Sequence, residues 1–296
     1  MVPALFLFAS LVNDVRTLIA RHDLAAADHQ IRSFQQKNGP TPELAAAVSW
    51  MARGALEAKN YAQADTYVTE TRKLSDALLM ARKLDAEPWL PLALGASIEV
   101  HAQVLAARGE RPEAVDYLRE QLKAFAATSI GERIRKNMNL LNMEGKPAPP
   151  LVETEWLGTK PPAWASLKGH PVMLFFWAHW CGDCKGEVPI LADLQKKFAP
   201  RGLVLIGPTK LYGYAAGGED AAPAAEKQYI EKVRHEFYSA LPGMPVPLSA
   251  ANFLTYGSST TPTIVLIDAR GIVRFYHPGA LTEAELSAHI EVVLRR

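Results

Sequence analysis

The run Phe176-Trp177-Ala178-His179-Trp180-Cys181-Gly182-Asp183-Cys184-Lys185 holds both cysteines of a 296-residue chain, three positions apart. Upstream, Pro171 to Trp177 is a short apolar run of strand character, and downstream the apolar residues as far as Phe198 recur at helical spacing. Cys181 therefore falls at a strand-to-helix junction, where unpaired backbone N–H groups and the positive end of the helix dipole favour a negative charge. Thiols so placed in a Cys-x-x-Cys pattern have pKa values of about 3.5–7.5 rather than the free value of about 8.5. Cys184, one turn on, is placed to attack a mixed disulfide on Cys181 and release the partner.

Other uses of the pair fit less well. A structural zinc ion needs four ligands, and the eight histidines offer no His-x₃₋₅-His spacing to complete a site. A purely structural disulfide across so short a loop would constrain the unfolded chain very little. Reversible dithiol chemistry remains, and it requires neither metal nor organic cofactor. Composition agrees with a globular protein, at 49% hydrophobic and 21% charged residues. A net charge of +1 with no dense basic cluster disfavours nucleic acid as a partner, and no uninterrupted apolar run reaches the ~18 residues of a membrane span.

The chain divides into unlike halves. Residues 1–143 read as an all-α domain of six or seven amphipathic helices rich in Ala, Leu, Glu, Lys, Arg and Gln. Residues 144–164 form a lead-in whose Pro147, Pro149, Pro150, Pro161 and Pro162 forbid a continuous helix. Residues 165–296 alternate strands and helices in the order βαβα, then ββα, with Asp268-Ala269-Arg270-Gly271 as a hairpin turn, which indicates a mixed sheet flanked by helices. Within the first half, the breaks at His22-Asp23, Lys59-Asn60 and Gly109-Glu110 each precede a buried-type Ala by a few residues, at Ala27, Ala64 and Ala114. That pattern resembles the turn of tetratricopeptide-like helical hairpins, though the spacing between breaks is unequal. Such an array either offers a groove to a peptide or protein client or serves as a spacer, and both readings stay open. The apolar start, Met1 to Val12, fits a secretory leader or the beginning of a buried helix; no Lys or Arg precedes it and no clear cleavage site follows.

The segment from Phe176 to Lys185 resembles the active site of thioredoxins, and Cys184-Lys185-Gly186-Glu187-Val188-Pro189 resembles the C-x-x-E-x-P continuation of the TlpA/ResA-like relatives within the AhpC/TSA-redoxin superfamily. Thr261-Pro262-Thr263 resembles their cis-proline loop, and Gly145-Lys146-Pro147-Ala148-Pro149-Pro150 their usual lead-in. The resemblance spans residues 145–296 and implies a thioredoxin fold with Cys181 as the exposed nucleophile and Cys184 as the buried resolving thiol. It implies that Trp180 and the backbone at Thr261 and cis-Pro262 receive an extended substrate, and that Glu187 tunes thiol acidity and accepts a proton. Two departures stand out: Phe175 occupies the place of the usual buried acid, and Asp183 that of the usual proline. Asp183 opposes thiolate formation and so favours the oxidised pair, unless it points into solvent and is screened; His179 is read with it as a local electrostatic tuner.

The expected activity is thiol–disulfide exchange or reduction on protein disulfide and dithiol partners, in cell redox homeostasis, with a separate electron donor. The resemblance implies an extracytoplasmic, periplasmic location. Two alternatives belong to other classes. One is a redox-sensitive adaptor whose helical half binds a client. The other is a thiol peroxidase, disfavoured because Ala178 stands where the Pro-x₃-Thr/Ser-x₂-Cys pattern needs a hydroxyl.

Overall fold

The computed structural model describes residues 10–295. The apolar start read as a leader or helix therefore lies outside the described residues up to position 9, while Leu11 and Val12 are buried in the first helix. The chain forms two compact units, one up to Asn137 and one from Met138.

The first unit is helical: α1 (Leu11–Ala20), α2 (Leu24–Asn38), α3 (Pro42–Glu57), α4 (Tyr61–Leu79), α5 (Trp89–Ala107), α6 (Arg111–Phe125) and the start of α7 (Gly131–Asn142), inside which the division falls. The three alike breaks in the sequence are three alike turns. His22, Lys59 and Gly109 take left-handed φ angles of 60°, 58° and 89°. At each turn two backbone bonds close the preceding helix: His22 N to Ile19 O and Asp23 N to Leu18 O, Lys59 N to Leu56 O and Asn60 N to Ala55 O, Gly109 N to Ala106 O and Glu110 N to Leu105 O. This is the Schellman closure, which satisfies carbonyls the helix end leaves open. Asp23 and Asn60 then cap α2 and α4 by accepting from Ala26 N and Gln63 N. Five residues after each left-handed position, Ala27, Ala64 and Ala114 are fully buried, where a larger side chain would hold the paired helices apart.

Helix α5 is apolar and long enough to cross a membrane by length and composition, but it is buried on most sides by its neighbours and carries Glu99. That carboxylate lies 2.6 Å from Arg133 Nη2 and 3.5 Å from Lys136 Nζ. Burial alone would keep Glu99 protonated, yet Arg133 and Lys136 outweigh it and hold the carboxyl below its usual range. A depressed folded pKa means that the stabilisation is present above the unfolded value of ~4.3 and is lost as pH falls through the folded one. Glu99→Gln leaves the cations uncompensated and is expected to cost about 2 kcal/mol at pH 7, the cost of a buried pair discounted for partial exposure. Thermal melts of variant and wild type should converge as the pH is taken below ~4.

The second unit is built on a four-stranded sheet of order β3-β2-β5-β6, from β2 (Val172–Phe176), β3 (Val204–Ile206), β5 (Thr263–Ile267) and β6 (Val273–Pro278). β2 runs parallel to β3 and antiparallel to β5, and β5 and β6 form the expected hairpin, with Gly271 at φ 81° in its turn. Every residue of β2 and β5 is buried because both faces are covered, which is why these strands read as continuous apolar runs. Met173, Phe175, Ile264 and Leu266 share a core with α8 (Gly182–Phe198), α9 (Pro223–Phe237) and α11 (Glu283–Leu294). Leu174, Phe176 and Val265 share the other with α10 (Ala250–Tyr256) and the lead-in residues Met143 and Leu151. A short ribbon pairs β1 (Trp156–Leu157) with β4 (Val246–Pro247). The mixed sheet between helices is the thioredoxin fold that the resemblance implies.

Candidate functional site

The parallel strand β2 delivers the chain to the N-terminus of α8, and Cys181 is the N-cap of that helix. Its backbone is extended, and its Sγ accepts the N–H of Cys184 at 3.0 Å, one of the donors that a helix start leaves unpaired. The helix thus begins at Gly182, several residues earlier than its apolar periodicity alone suggests. The two cysteines are joined in a disulfide. Cys184 is fully buried and Cys181 retains a 4% edge to solvent, beside Trp180 at 49%. Both residues of the pair are thus buried rather than open, and Cys181 is the one whose edge faces outward.

Register places the proline loop at the same end of the sheet. Phe176 pairs with Thr263, so Pro262 immediately precedes the strand that lies against the last residue of β2. The Thr261–Pro262 peptide is cis. The carbonyl of Pro262 accepts Gly279 N at 2.8 Å, and two residues on Leu281 N donates to Glu187 Oε1, also at 2.8 Å, so the Gly279–Leu281 segment ties the proline loop to the acid on α8.

Glu187 lies three residues after Cys184 on the same helix face and is buried at 3% exposure. Its Oε2 makes no hydrogen bond, and burial, with a smaller contribution from Asp183, pushes its pKa up to about 7. The carboxyl is therefore divided between its two forms at neutral pH. The phenol of Tyr238, buried nearby, is pushed well above its ordinary range by desolvation and by the Glu187 charge. Asp183 is exposed on the first turn of α8.

His179 does not lie open at the rim. It is 1% exposed, its Nε2 stands 3.3 Å from Glu226 Oε1, and burial lowers its pKa, so it is neutral at pH 7. Glu226 is a residue that sequence reasoning did not find. It sits in the first turn of α9, fully buried, and accepts Tyr212 N at 2.5 Å and Gly213 N at 2.8 Å. In the sequence it reads as an ordinary acid in a helix's first turn, and only Pro223 at the helix start hinted at how that turn is placed. Among the described residues no group of three or more His, Cys, Asp or Glu side chains is placed to hold a metal.

The family match falls on the second unit. Residues 145–209 match the AhpC/TSA family. The chain is 33% identical over 143 residues to the thiol:disulfide interchange protein DsbE of Xylella fastidiosa, covering 47% of this chain and 63% of that protein. It is 29% identical over 151 residues to the thiol-disulfide oxidoreductase ResA of Bacillus thuringiensis, covering 50% of this chain and 78% of that one. A solved thiol:disulfide interchange protein of the thioredoxin family from Chlorobium tepidum is 24% identical, with a TM-score of 0.37 over 50% of this chain and 96% of that one. The chain spans somewhat under two thirds of the length of the DsbE relative, and the helical half lies outside the family match.

Proposed function

We propose that this protein is a thiol–disulfide oxidoreductase that reduces or exchanges disulfides of protein partners outside the cytoplasm. The observation that carries the reading is the Cys181 sulfur at the cap of α8, accepting a backbone N–H where a thiolate would be stabilised. In the reduced protein the Cys181 thiolate attacks one sulfur of the partner disulfide, and the other partner sulfur leaves and takes up a proton. Cys184 gives its proton to the Glu187 carboxylate and attacks Cys181 Sγ, releasing the second partner thiol and closing the Cys181–Cys184 disulfide. Two electrons pass to the partner, and a separate dithiol donor restores them. Trp180 flanks the attacked bond, and the backbone at Thr261 and Pro262 pairs with the extended partner chain.

The similarity to DsbE and ResA supports the activity and the extracytoplasmic setting. The three alike turns with their buried alanines support a tetratricopeptide-like array in the first unit. The test is reduction of insulin disulfides by the full chain with dithiothreitol as donor: turnover well above that of dithiothreitol alone is expected, and a rate no different from it would refute the reading. Asp183 next to the pair opposes the thiolate, so equilibration with a glutathione buffer should give a potential nearer about −270 mV than about −120 mV. A value above about −150 mV would contradict that sign.

A further inference from the structure

The connection from β3 to α9 is longer than most, and the structure pins it beside the cysteine pair. The carboxylate of Glu226 holds it twice by backbone N–H groups, at Tyr212 and Gly213, and meets His179 with the same Oε1 that accepts Tyr212. His179 is in turn boxed edge-on by Tyr212, Tyr214 and Tyr229, with ring centres 5.4–5.6 Å away. Beyond the latch, the turn is closed by its own backbone bonds, Ala215 N to Glu219 O and Ala221 N to Gly213 O. The result is a fixed element, and its side chain at Tyr212 stands edge-to-face to Trp180, centres 5.5 Å apart at 83°. Trp180 is half exposed and directly precedes Cys181.

We propose that Tyr212, held by Glu226 and His179, is a specificity-determining wall of the site that selects partner disulfides flanked by an aromatic or large apolar residue. This deepens the oxidoreductase reading and rests on it. A partner side chain beside the attacked sulfur meets Trp180 and Tyr212 together, a corner that suits an aromatic ring by the offset and T-shaped geometries such rings prefer. A glycine there gains nothing from the corner. Glu226 and His179 are positioning residues: neither touches the partner, and both fix where Tyr212 stands.

The experiment uses the full chain and two disulfide-linked model peptides that differ only in Phe or Gly next to the half-cystine. Wild type is expected to favour the Phe peptide about tenfold in kcat/KM, mainly through KM, the ratio that one aromatic pair supports. Tyr212→Ala should bring the ratio near one, Tyr212→Phe should restore it, and Glu226→Gln, which loses one of the two carboxylate acceptors, should fall between. A merely structural role would lower both peptides alike and leave the ratio unmoved. An equal preference in wild type, or a preference that survives Tyr212→Ala, would overturn the wall while leaving the oxidoreductase standing. Wild type inactive on both peptides would overturn the parent reading, and the wall with it.

Discussion

Cys181→Ser is expected to lower insulin disulfide reduction by the full chain at least ~10³-fold, to the rate of the donor alone. The loss is chemical. A serine hydroxyl is essentially un-ionised at neutral pH, and an oxygen cannot form the mixed disulfide through which exchange proceeds. The fold should survive, because serine is among the best helix N-caps and its oxygen can accept the Cys184 N–H that Cys181 Sγ accepts now. Cys184→Ser has a different signature: Cys181 still attacks, but nothing releases the partner, and covalent adducts should accumulate that vanish on adding dithiothreitol. Non-reducing gels resolve the two variants. Adducts with Cys181→Ser, or none with Cys184→Ser, would reverse the assignment of attacking and resolving sulfur made here from a 4% edge against full burial.

That assignment was open to sequence reasoning because the signal is local. A Cys-x-x-Cys between an apolar run and a helical period specifies its own geometry, and the run Pro171 to Trp177 of strand character contains the observed strand Val172–Phe176. The first-half breaks were legible for the same reason, since a left-handed residue, a cap and a small residue fall within six positions. What was not legible depends on distance along the chain. Helix α10 is short, has no side-chain cap, and gains its place from Phe253 and Tyr256 packing under the sheet. Its composition alone does not separate it from a loop. Glu226 lies 47 positions after His179, with the whole Tyr212 turn between them, and nothing in its own neighbourhood marks it as buried. His179 accordingly reads as a tuner beside the pair, whereas its ring is enclosed by three tyrosines contributed by the loop and by α9.

Glu187→Gln should make the protein slower and, above neutral pH, more stable. Burial raises the carboxyl to about 7, well above the ordinary glutamate range, so the folded state holds the proton more tightly than the unfolded state does. The sign follows: between the unfolded and folded values stability falls as pH rises, and it is fully present below the unfolded value and lost through the folded one. A shift of this size corresponds to about 3 kcal/mol. Glutamine keeps an oxygen for the Leu281 N–H and carries no charge, so urea midpoints of variant and wild type should agree near pH 4 and separate in the variant's favour by pH 8. The same substitution removes the base placed one turn from Cys184. Release of the mixed disulfide at pH 7.5 should then slow by ~10²-fold, the lower range for a positioned proton acceptor, and its rate should lose the rise through pH 7 that Glu187 gives it. Stopped-flow tryptophan fluorescence, with Trp180 beside the pair, can follow that step. Stability and rate moving in opposite directions is the mark of a buried acid kept for chemistry, because a carboxyl kept for structure would lose both when neutralised.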